Sequence, residues 1–242
     1  MYNPVFKFFY AVWFVSVITV ATVVLGLATV VVSFFSPKTA RYITDVAWSH
    51  CVLTLAAIRV ETIGLENLPE SDGGYIFFAN HTSAADIPAV GLATGKLVSW
   101  LAKASLGKIP FFGWGLARVH MLVDRGGGPE AAKKMVAEAR QRLQEGQILA
   151  IFPEGTRNRT NELLLPFKKG AFILSKQTGA LIVPLAIKNA GKLWPAGAFW
   201  PRPGVIKVKV GQPLETHGKE KLADITDRAQ AALPELLADP SW

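Results

Sequence analysis

Cysteine is nearly absent from this chain of 242 residues, because Cys51 is its only thiol. A single cysteine forms no disulfide within the chain and leaves no multi-cysteine metal site, so the sequence predicts no such metal and a reducing compartment. Internal repeats and low-complexity linkers are also missing. Gly107-Lys108 lacks the flanking residues of a P-loop, and Gly126-Gly127-Gly128 lacks the dinucleotide fingerprint. The sequence therefore predicts no nucleotide cofactor.

Charged side chains are absent from much of the N-terminal region. Phe8 to Phe35 spans 28 residues without a charge, and the first acidic residue of the chain is Asp45. A helix of that length extends about 42 Å, whereas the hydrocarbon core of a bilayer is about 30 Å thick. The helix can therefore span with tilt or stay in one leaflet. A buried core helix is the less favoured alternative, because core helices rarely run this long without charge.

A second apolar stretch, Ile43 to Ile58, carries Asp45, Ser49 and His50 among its apolar residues. This pattern predicts a helix with one wetter face, packed on the first segment or lying in the membrane interface. Residues 1–58 are therefore expected to form a helical membrane anchor. A cleavable signal peptide fits less well, because the apolar run is too long and no small-residue cleavage pattern follows it.

Positive charge is concentrated in the middle of the chain. Of the net charge of +8, the segment from Lys96 to Gly170 contributes +7, with 13 Lys and Arg against 6 Asp and Glu. Such a segment is typical of proteins with an anionic partner, which can be nucleic acid, acidic lipid or a phosphorylated substrate. Nucleic acid is the weakest of the three, because no binding motif accompanies the charge and a membrane segment precedes it.

From Val60 onward, short runs rich in β-branched and aromatic residues alternate with helical patterns. The predicted strands are Val60–Ile63, Tyr75–Ala79, Leu97–Ala102, Val119–Val123, Ile148–Phe152, Leu181–Ile187 and Val205–Val210. The best-marked helix lies between Gly128 and Gly146, and others are predicted at Phe167–Thr178 and Lys219–Ala238, the last interrupted by Pro234. Residues 59–242 are therefore predicted to form an α/β domain, with a mostly parallel or mixed central sheet flanked by helices.

A histidine and an aspartate follow the second predicted strand, at His81 and Asp86. A carboxylate can hold one nitrogen of an imidazole, which leaves the other nitrogen free to take a proton from an alcohol. The structural alternative is a capping box, because Ser83 precedes Asp86 by three residues. The two interpretations are compatible, since a carboxylate in a first helical turn can also face the preceding loop.

A second polar loop, Phe152 to Arg159, follows another predicted strand. Its Gly155 permits an unusual backbone angle, and Thr156 offers a hydroxyl. Arg157 and Arg159 offer guanidinium forks suited to phosphate. A solvated basic turn is the structural alternative. Lys103 and Arg125, each at the end of a predicted strand, are expected to face the same crevice as these loops.

Four blocks in this order resemble the 1-acylglycerol-3-phosphate acyltransferase family. The blocks are Asn80-His-x4-Asp86, then Lys103 with Ile109-Pro-Phe-Phe-Gly-Trp and Asp124-Arg125, then Phe152-Pro-Glu-Gly-Thr-Arg157, and finally Val183-Pro-Leu-Ala-Ile187. Together they cover roughly Ile76 to Ile187, and the apolar N-terminus also fits the family. One departure is Val119, which stands where the family often has glycine.

The resemblance implies the glycerolipid acyltransferase fold and the transfer of a fatty acyl group from a thioester to the free hydroxyl of lysophosphatidic acid, yielding phosphatidic acid. It implies that His81 is the general base and Asp86 its orienter, with no metal and no cofactor beyond acyl-CoA or acyl carrier protein as donor substrate. The residues it assigns to the phosphate and acceptor are Lys103, Arg125, Glu154, Gly155, Thr156 and Arg157. Val183 and Pro184 would help to shape the acyl pocket.

The same resemblance places the protein in a membrane, with its active site on the cytoplasmic face of what would be a bacterial inner membrane. Its expected partners are lysophosphatidic acid, the acyl donor and membrane lipids, without nucleic acid. Two alternatives remain open from the residues. One is the same chemistry on glycerol-3-phosphate or a lyso-aminolipid, and the other is a non-catalytic lipid-binding membrane protein.

Overall fold

The computed structural model of the protein describes residues 4–70, 73–124, 126–216 and 220–242. The helices are α1 (Pro4–Ser33), α2 (Pro37–Tyr42), α3 (Trp48–Leu55), α4 (Asp86–Thr94), α5 (Phe112–Val119), α6 (Gly128–Gln144), α7 (Lys169–Thr178), α8 (Ala190–Leu193) and α9 (Leu222–Ala238). The strands are β1 (Ile58–Ile63), β2 (Ile76–Ala79), β3 (Val98–Lys103), β4 (Met121–Val123), β5 (Ile148–Ile151), β6 (Ile182–Lys188) and β7 (Gly204–Val210). A π-helical turn, Ile43–Ala47, joins α2 to α3.

The strands form one mixed sheet in the order β1-β7-β6-β2-β5-β3-β4. Each of the seven predicted strands is present, with ends within two residues of those predicted. Neighbouring strands pair in parallel except for β6 and β7, which are antiparallel. The predicted α/β fold with a mixed sheet is therefore confirmed.

The parallel pairing decides where the polar loops meet. Strands β2 to β6 run in one direction, so their carboxyl ends share one edge of the sheet. His81 follows β2, Lys103 ends β3 and Phe152 follows β5. Asn80 links the end of β2 to β6 at this edge. Its side chain accepts a hydrogen bond of 2.7 Å from the amide of Ile187 and donates one of 2.9 Å to the carbonyl of the same residue.

Helix α1 packs against the α/β domain along one side and exposes apolar residues along the other. Phe14 is buried and meets the ring of Trp194 edge to face, with centroids 5.3 Å apart. Farther along, Gly26 crosses Gly115 of α5 so closely that a Cβ on Gly115 would lie 3.0 Å from the Gly26 carbonyl oxygen. Little of the helix is buried. The structure therefore excludes the alternative of a buried core helix.

The face of the second apolar segment that is predicted to be wetter is not open to solvent at Asp45 and Ser49, which are both buried. Asp45 turns toward the sheet, where Oδ2 accepts a hydrogen bond of 2.9 Å from the amide of Val98 and Oδ1 lies 3.6 Å from Nε2 of His120. Burial raises the pKa of Asp45 to about 7 and lowers that of His120 to about 3. The polar face of this segment therefore packs on the domain at Asp45, while His50 is exposed.

Two further local expectations need correction. Helix α9 continues through Pro234 without interruption, since Ile225, Ala229 and Leu233 anchor one face of it in the core. Helix α5 was not predicted, because its two glycines have poor helix propensity. Tertiary packing explains the helix, since Gly115 is the point at which α5 approaches α1.

Candidate functional site

His81 and Asp86 are in direct contact at the carboxyl edge of the sheet. Nδ1 of His81 lies 2.8 Å from Oδ2 of Asp86, and the side chains are 12% and 0% exposed. The buried carboxylate makes Nδ1 the donor, which leaves Nε2 with a free lone pair. This is the arrangement that a histidine base requires: one nitrogen held, the other available.

A single oxygen of Asp86, Oδ2, makes the contacts that both the capping and the orienting interpretations predict. Oδ2 also accepts hydrogen bonds from the amides of Thr82 and Ser83, at 2.7 and 2.8 Å. Only half of the predicted capping box forms, because the Ser83 hydroxyl accepts from the amide of Ala85 instead of capping Asp86. Oδ1 is buried without a hydrogen-bond partner among the described residues. Asp86 thus shapes the loop and holds the imidazole at the same time.

The second loop holds His81 from the other side. The imidazole stacks on the ring of Phe152, with centroids 3.8 Å apart and planes within 7°. The amide of His81 donates to Oε1 of Glu154 at 2.7 Å, and its carbonyl accepts from the amide of Asn158 at 2.6 Å. The imidazole is therefore fixed by a ring, a carboxylate and two backbone contacts.

The resemblance implies that Glu154 contacts the substrate, but in the structure its carboxylate bonds to backbone amides. Its side chain is 2% exposed, and its second oxygen accepts a hydrogen bond of 2.9 Å from the amide of Leu165. Burial raises the pKa of Glu154, although both backbone donors oppose this shift. Its carboxylate is occupied by the backbone of two loops, so we interpret Glu154 as a positioning residue.

A cleft of about 540 Å³ opens in front of His81. Among the described residues, the Lys and Arg side chains that line it are Lys103, Arg157, Arg159 and Lys168. Gly155 and Thr156 line it as well, and Gly155 has a φ of +70°, as its predicted unusual backbone angle requires. Arg125 lies outside the described residues. The cleft can therefore accept an anionic group next to a candidate base.

Lys168 carried no functional expectation from the sequence. Its side chain crosses Gly155 so closely that a Cβ there would lie 2.7 Å from Cδ of the lysine. Position 155 thus requires glycine for two reasons: its backbone is left-handed, and a Cβ would clash with the side chain of Lys168. No local motif could have revealed this contact, since 12 residues of irregular chain lie between Gly155 and Lys168.

A smaller apolar cavity of about 110 Å³ adjoins the cleft. The residues that line both are Ile87, Trp100, Ala102 and Leu106. The cavity continues to Leu25 and Gly26 of α1. Val183 and Pro184, which the resemblance assigns to an acyl pocket, lie buried within β6 and line neither space.

Comparison with known proteins agrees with this geometry. A model of the acyltransferase family matches residues 59–188. The 1-acyl-sn-glycerol-3-phosphate acyltransferase of Saccharomyces cerevisiae is 32% identical over 205 residues, which cover 83% of this chain and 67% of that protein. The protein of the same name from Pseudomonas aeruginosa is 32% identical over 190 residues, covering 77% and 72%.

The fold has a solved counterpart as well. The crystal structure of the 1-acyl-sn-glycerophosphate acyltransferase PlsC from Thermotoga maritima matches with a TM-score of 0.76 and 25% identity, over 98% of this chain and 99% of that one. The family match covers more than half of the chain, and the yeast and Pseudomonas relatives resemble it over most of their own length. The chain therefore belongs to the acyltransferase family.

Proposed function

We propose that the protein transfers a fatty acyl group from a thioester to the free hydroxyl of 1-acylglycerol-3-phosphate, which yields phosphatidic acid. The contact between His81 and Asp86 at the mouth of a basic cleft is the observation that carries this proposal. The names of the yeast and Pseudomonas relatives support the same acceptor.

The chemistry follows from the free nitrogen of His81. Nε2 takes the proton of the acceptor hydroxyl while the hydroxyl oxygen attacks the thioester carbonyl. The tetrahedral intermediate then collapses, and the thiol leaves with the proton that His81 returns. Asp86 stabilises the imidazolium between these two steps, because its carboxylate is buried against the ring. A thioester is already activated, so the protein mainly needs to position the alcohol and remove its proton.

The basic residues of the cleft are proposed to hold the phosphate of the acceptor. Both Lys103 and Arg157 line the same space as His81, which supports the roles implied for them. A guanidinium can contact two phosphate oxygens at once, whereas an ammonium acts as a point charge. Arg125 keeps its predicted role as a proposal from the sequence alone.

Replacing Arg157 with alanine is expected to raise KM for lysophosphatidic acid by about 10- to 100-fold, because a charge-assisted hydrogen bond contributes roughly 1.5–3 kcal/mol. Arg157→Lys should restore only part of the affinity, since lysine lacks the planar fork. Steady-state kinetics at saturating donor would measure both. An unchanged KM in the alanine variant would mean that Arg157 does not hold the phosphate.

The acyl chain of a substrate is proposed to enter the apolar cavity that adjoins the cleft. Trp100 and Leu106 line both spaces, so a chain can pass from one to the other without crossing polar surface. The far end of the cavity is formed by α1. This proposal replaces Val183 and Pro184 as the residues that shape the acyl pocket.

Residues 1–58 are proposed to anchor the α/β domain, residues 59–242, to the membrane. Among the described residues, one helix is long and apolar enough to cross a bilayer, Phe8–Ser33. That helix contacts the domain near both ends, at Phe14 and Gly26. A helix covered by protein along one side fits the plane of one leaflet better than a span, and we place the site on the cytoplasmic face, where acyl thioesters are made.

The exposed valines of α1 should contribute to membrane binding. Val20, Val24 and Val31 are 62%, 57% and 58% exposed, so replacing all three with asparagine removes lipid contacts and little core packing. Partitioning onto vesicles is expected to fall by at least about tenfold, on the basis of roughly 0.8 kcal/mol per buried methylene. The triple leucine variant is the matched control and should bind as the wild type does. If the asparagine variant binds vesicles as well as the wild type does, this face of α1 does not contribute to membrane anchoring.

The proposed reaction can be tested with purified protein, a labelled acyl thioester and lysophosphatidic acid, with separation of the lipid products. Labelled phosphatidic acid is expected. Running acyl-CoA and acyl carrier protein side by side would identify the donor. A protein that acylates only a lyso-aminolipid or glycerol-3-phosphate, or that binds lipid without turnover, would contradict the proposal.

A further inference from the structure

A second polar cleft lies at the opposite edge of the sheet from His81. Leu97 and Gln147 line it. Leu97 immediately precedes β3 and Gln147 immediately precedes β5, and the carboxyl ends of both strands lie at the active-site cleft. Its volume is about 520 Å³. The charged residues that line it are Lys38, Arg41, Arg118, Arg142, Glu138 and Glu145. The acyl transfer described above uses none of them.

The two carboxylates of this cleft are already engaged by the protein. Oε1 of Glu138 accepts from Nε and Nη2 of Arg142 at 3.1 and 2.9 Å. Glu145 accepts from the side-chain amides of Gln141 and Gln147, both at 2.9 Å. Glu138 is thus paired with Arg142, whereas Glu145 bonds only neutral amides and keeps its charge. With four cations and two carboxylates, the side chains that line the cleft give it a net charge of +2.

Three cations remain available to an external anion. Arg41 is half-buried and donates to the amide oxygen of Gln147 instead of to a carboxylate. Lys38 and Arg118 are exposed, and neither forms an ion pair within the described part of the chain. Burial lowers the pKa of the Arg41 guanidinium, and nearby Arg142 adds to this shift, although the carboxylates of Asp45 and Glu145 oppose it. An external anion beside Arg41 would act in the same direction as these two carboxylates.

The same cleft lies next to the C-terminal end of α1, where exposed apolar residues follow the helix. Phe34 and Phe35, in the turn between α1 and α2, are 67% and 85% exposed. The guanidinium of Arg118 lies 4.4 Å from the centroid of the Phe34 ring. Lys38 is the second residue of α2, the next helix. If the two phenylalanines enter the hydrocarbon, these cations lie at the depth of the lipid head groups.

We propose that this cleft binds the phosphate head group of an anionic phospholipid. Lys38, Arg41 and Arg118 surround the phosphate, while the acyl chains of the lipid lie beside Phe34 and Phe35. A free phosphate ion would offer the same contacts to the cations but none to the phenylalanines. Because α1 extends from Trp194 to Arg118, a lipid at this end and a substrate at the other would orient the protein along one bilayer surface.

The test compares binding of the full chain to phosphatidylcholine vesicles and to vesicles that also contain phosphatidylglycerol. The double variant Lys38→Gln, Arg118→Gln is expected to lose at least about tenfold in partitioning onto the anionic vesicles, since each cation near the surface contributes about fivefold. Its binding to pure phosphatidylcholine and its turnover of detergent-dispersed substrate should be unchanged. The turnover measurement separates this proposal from the proposed function.

The matched control is Arg59→Gln, Lys221→Gln, which removes two exposed cations that do not line the cleft. It should lose far less affinity for the anionic vesicles. Equal losses in the two double variants would mean that overall charge, not this cleft, attracts the lipid, and would overturn the proposal. Inorganic phosphate should bind the full chain far more weakly than the anionic vesicles do, because it makes no contact with Phe34 and Phe35. Phosphate binding as tight as the vesicle binding would identify a free-phosphate site instead.

Discussion

Replacing His81 with alanine is expected to lower kcat for acyl transfer by at least about a hundredfold, which is a typical contribution of general-base catalysis. The acceptor hydroxyl would then lose the only group proposed to take its proton. KM for lysophosphatidic acid should change little, since the cations that hold the phosphate remain. Initial rates at saturating donor, normalised to folded protein, would measure the effect.

The same substitution removes a ring that stacks on Phe152 and a donor to Asp86. These contacts are worth about 2–4 kcal/mol together, which is less than the roughly 5–15 kcal/mol that stabilises a typical domain, so the variant should still fold. Phe152→Leu is a useful control because it removes the stack and keeps the hydrogen bond. It should cost far less in kcat. A folded His81→Ala protein with near-wild-type turnover would refute the mechanism.

Replacing Asp86 with asparagine is expected to lower kcat on the order of a hundredfold. The asparagine carbonyl can still accept from the amides of Thr82 and Ser83, but it carries no charge to stabilise the imidazolium. Its amide group would take the place of Oδ1, which has no partner among the described residues, so a buried donor would be left unsatisfied. The free energy of unfolding should therefore fall by about 1–3 kcal/mol.

The kinetic and structural roles of Asp86 can be separated with a matched control in the same loop. Ser83→Ala removes the hydroxyl that bonds the Trp194 carbonyl and the Ala85 amide, without touching His81. It should lower stability and leave kcat per folded molecule nearly unchanged. If Asp86→Asn behaves in the same way as Ser83→Ala, Asp86 serves only the loop.

The sheet could be predicted from the sequence because its strands are short, apolar and bounded by turn residues. The meeting of His81, Lys103 and the Phe152 loop also followed from the sequence, since parallel strands bring their carboxyl ends to one edge. The contact between His81 and Asp86 needs only a five-residue separation, so local spacing was enough to predict it.

Contacts between distant parts of the chain could not be predicted in this way. Glu154 bonds the backbone of His81 from 73 residues away, and its sequence context resembles that of a substrate ligand. The buried contacts of Asp45 could not be predicted either, because a carboxylate in an apolar helix predicts only a wetter face of that helix. Only the position of Val98 and His120 explains why it points inward.

The most direct test of the account is a competition between acceptors in one reaction. Purified protein would receive a labelled acyl thioester with equal concentrations of lysophosphatidic acid and glycerol-3-phosphate, and the labelled products would be separated. We expect phosphatidic acid to carry nearly all of the label, and His81→Ala to reduce it to background. Label mainly in lysophosphatidic acid, or equal label with and without His81, would contradict it.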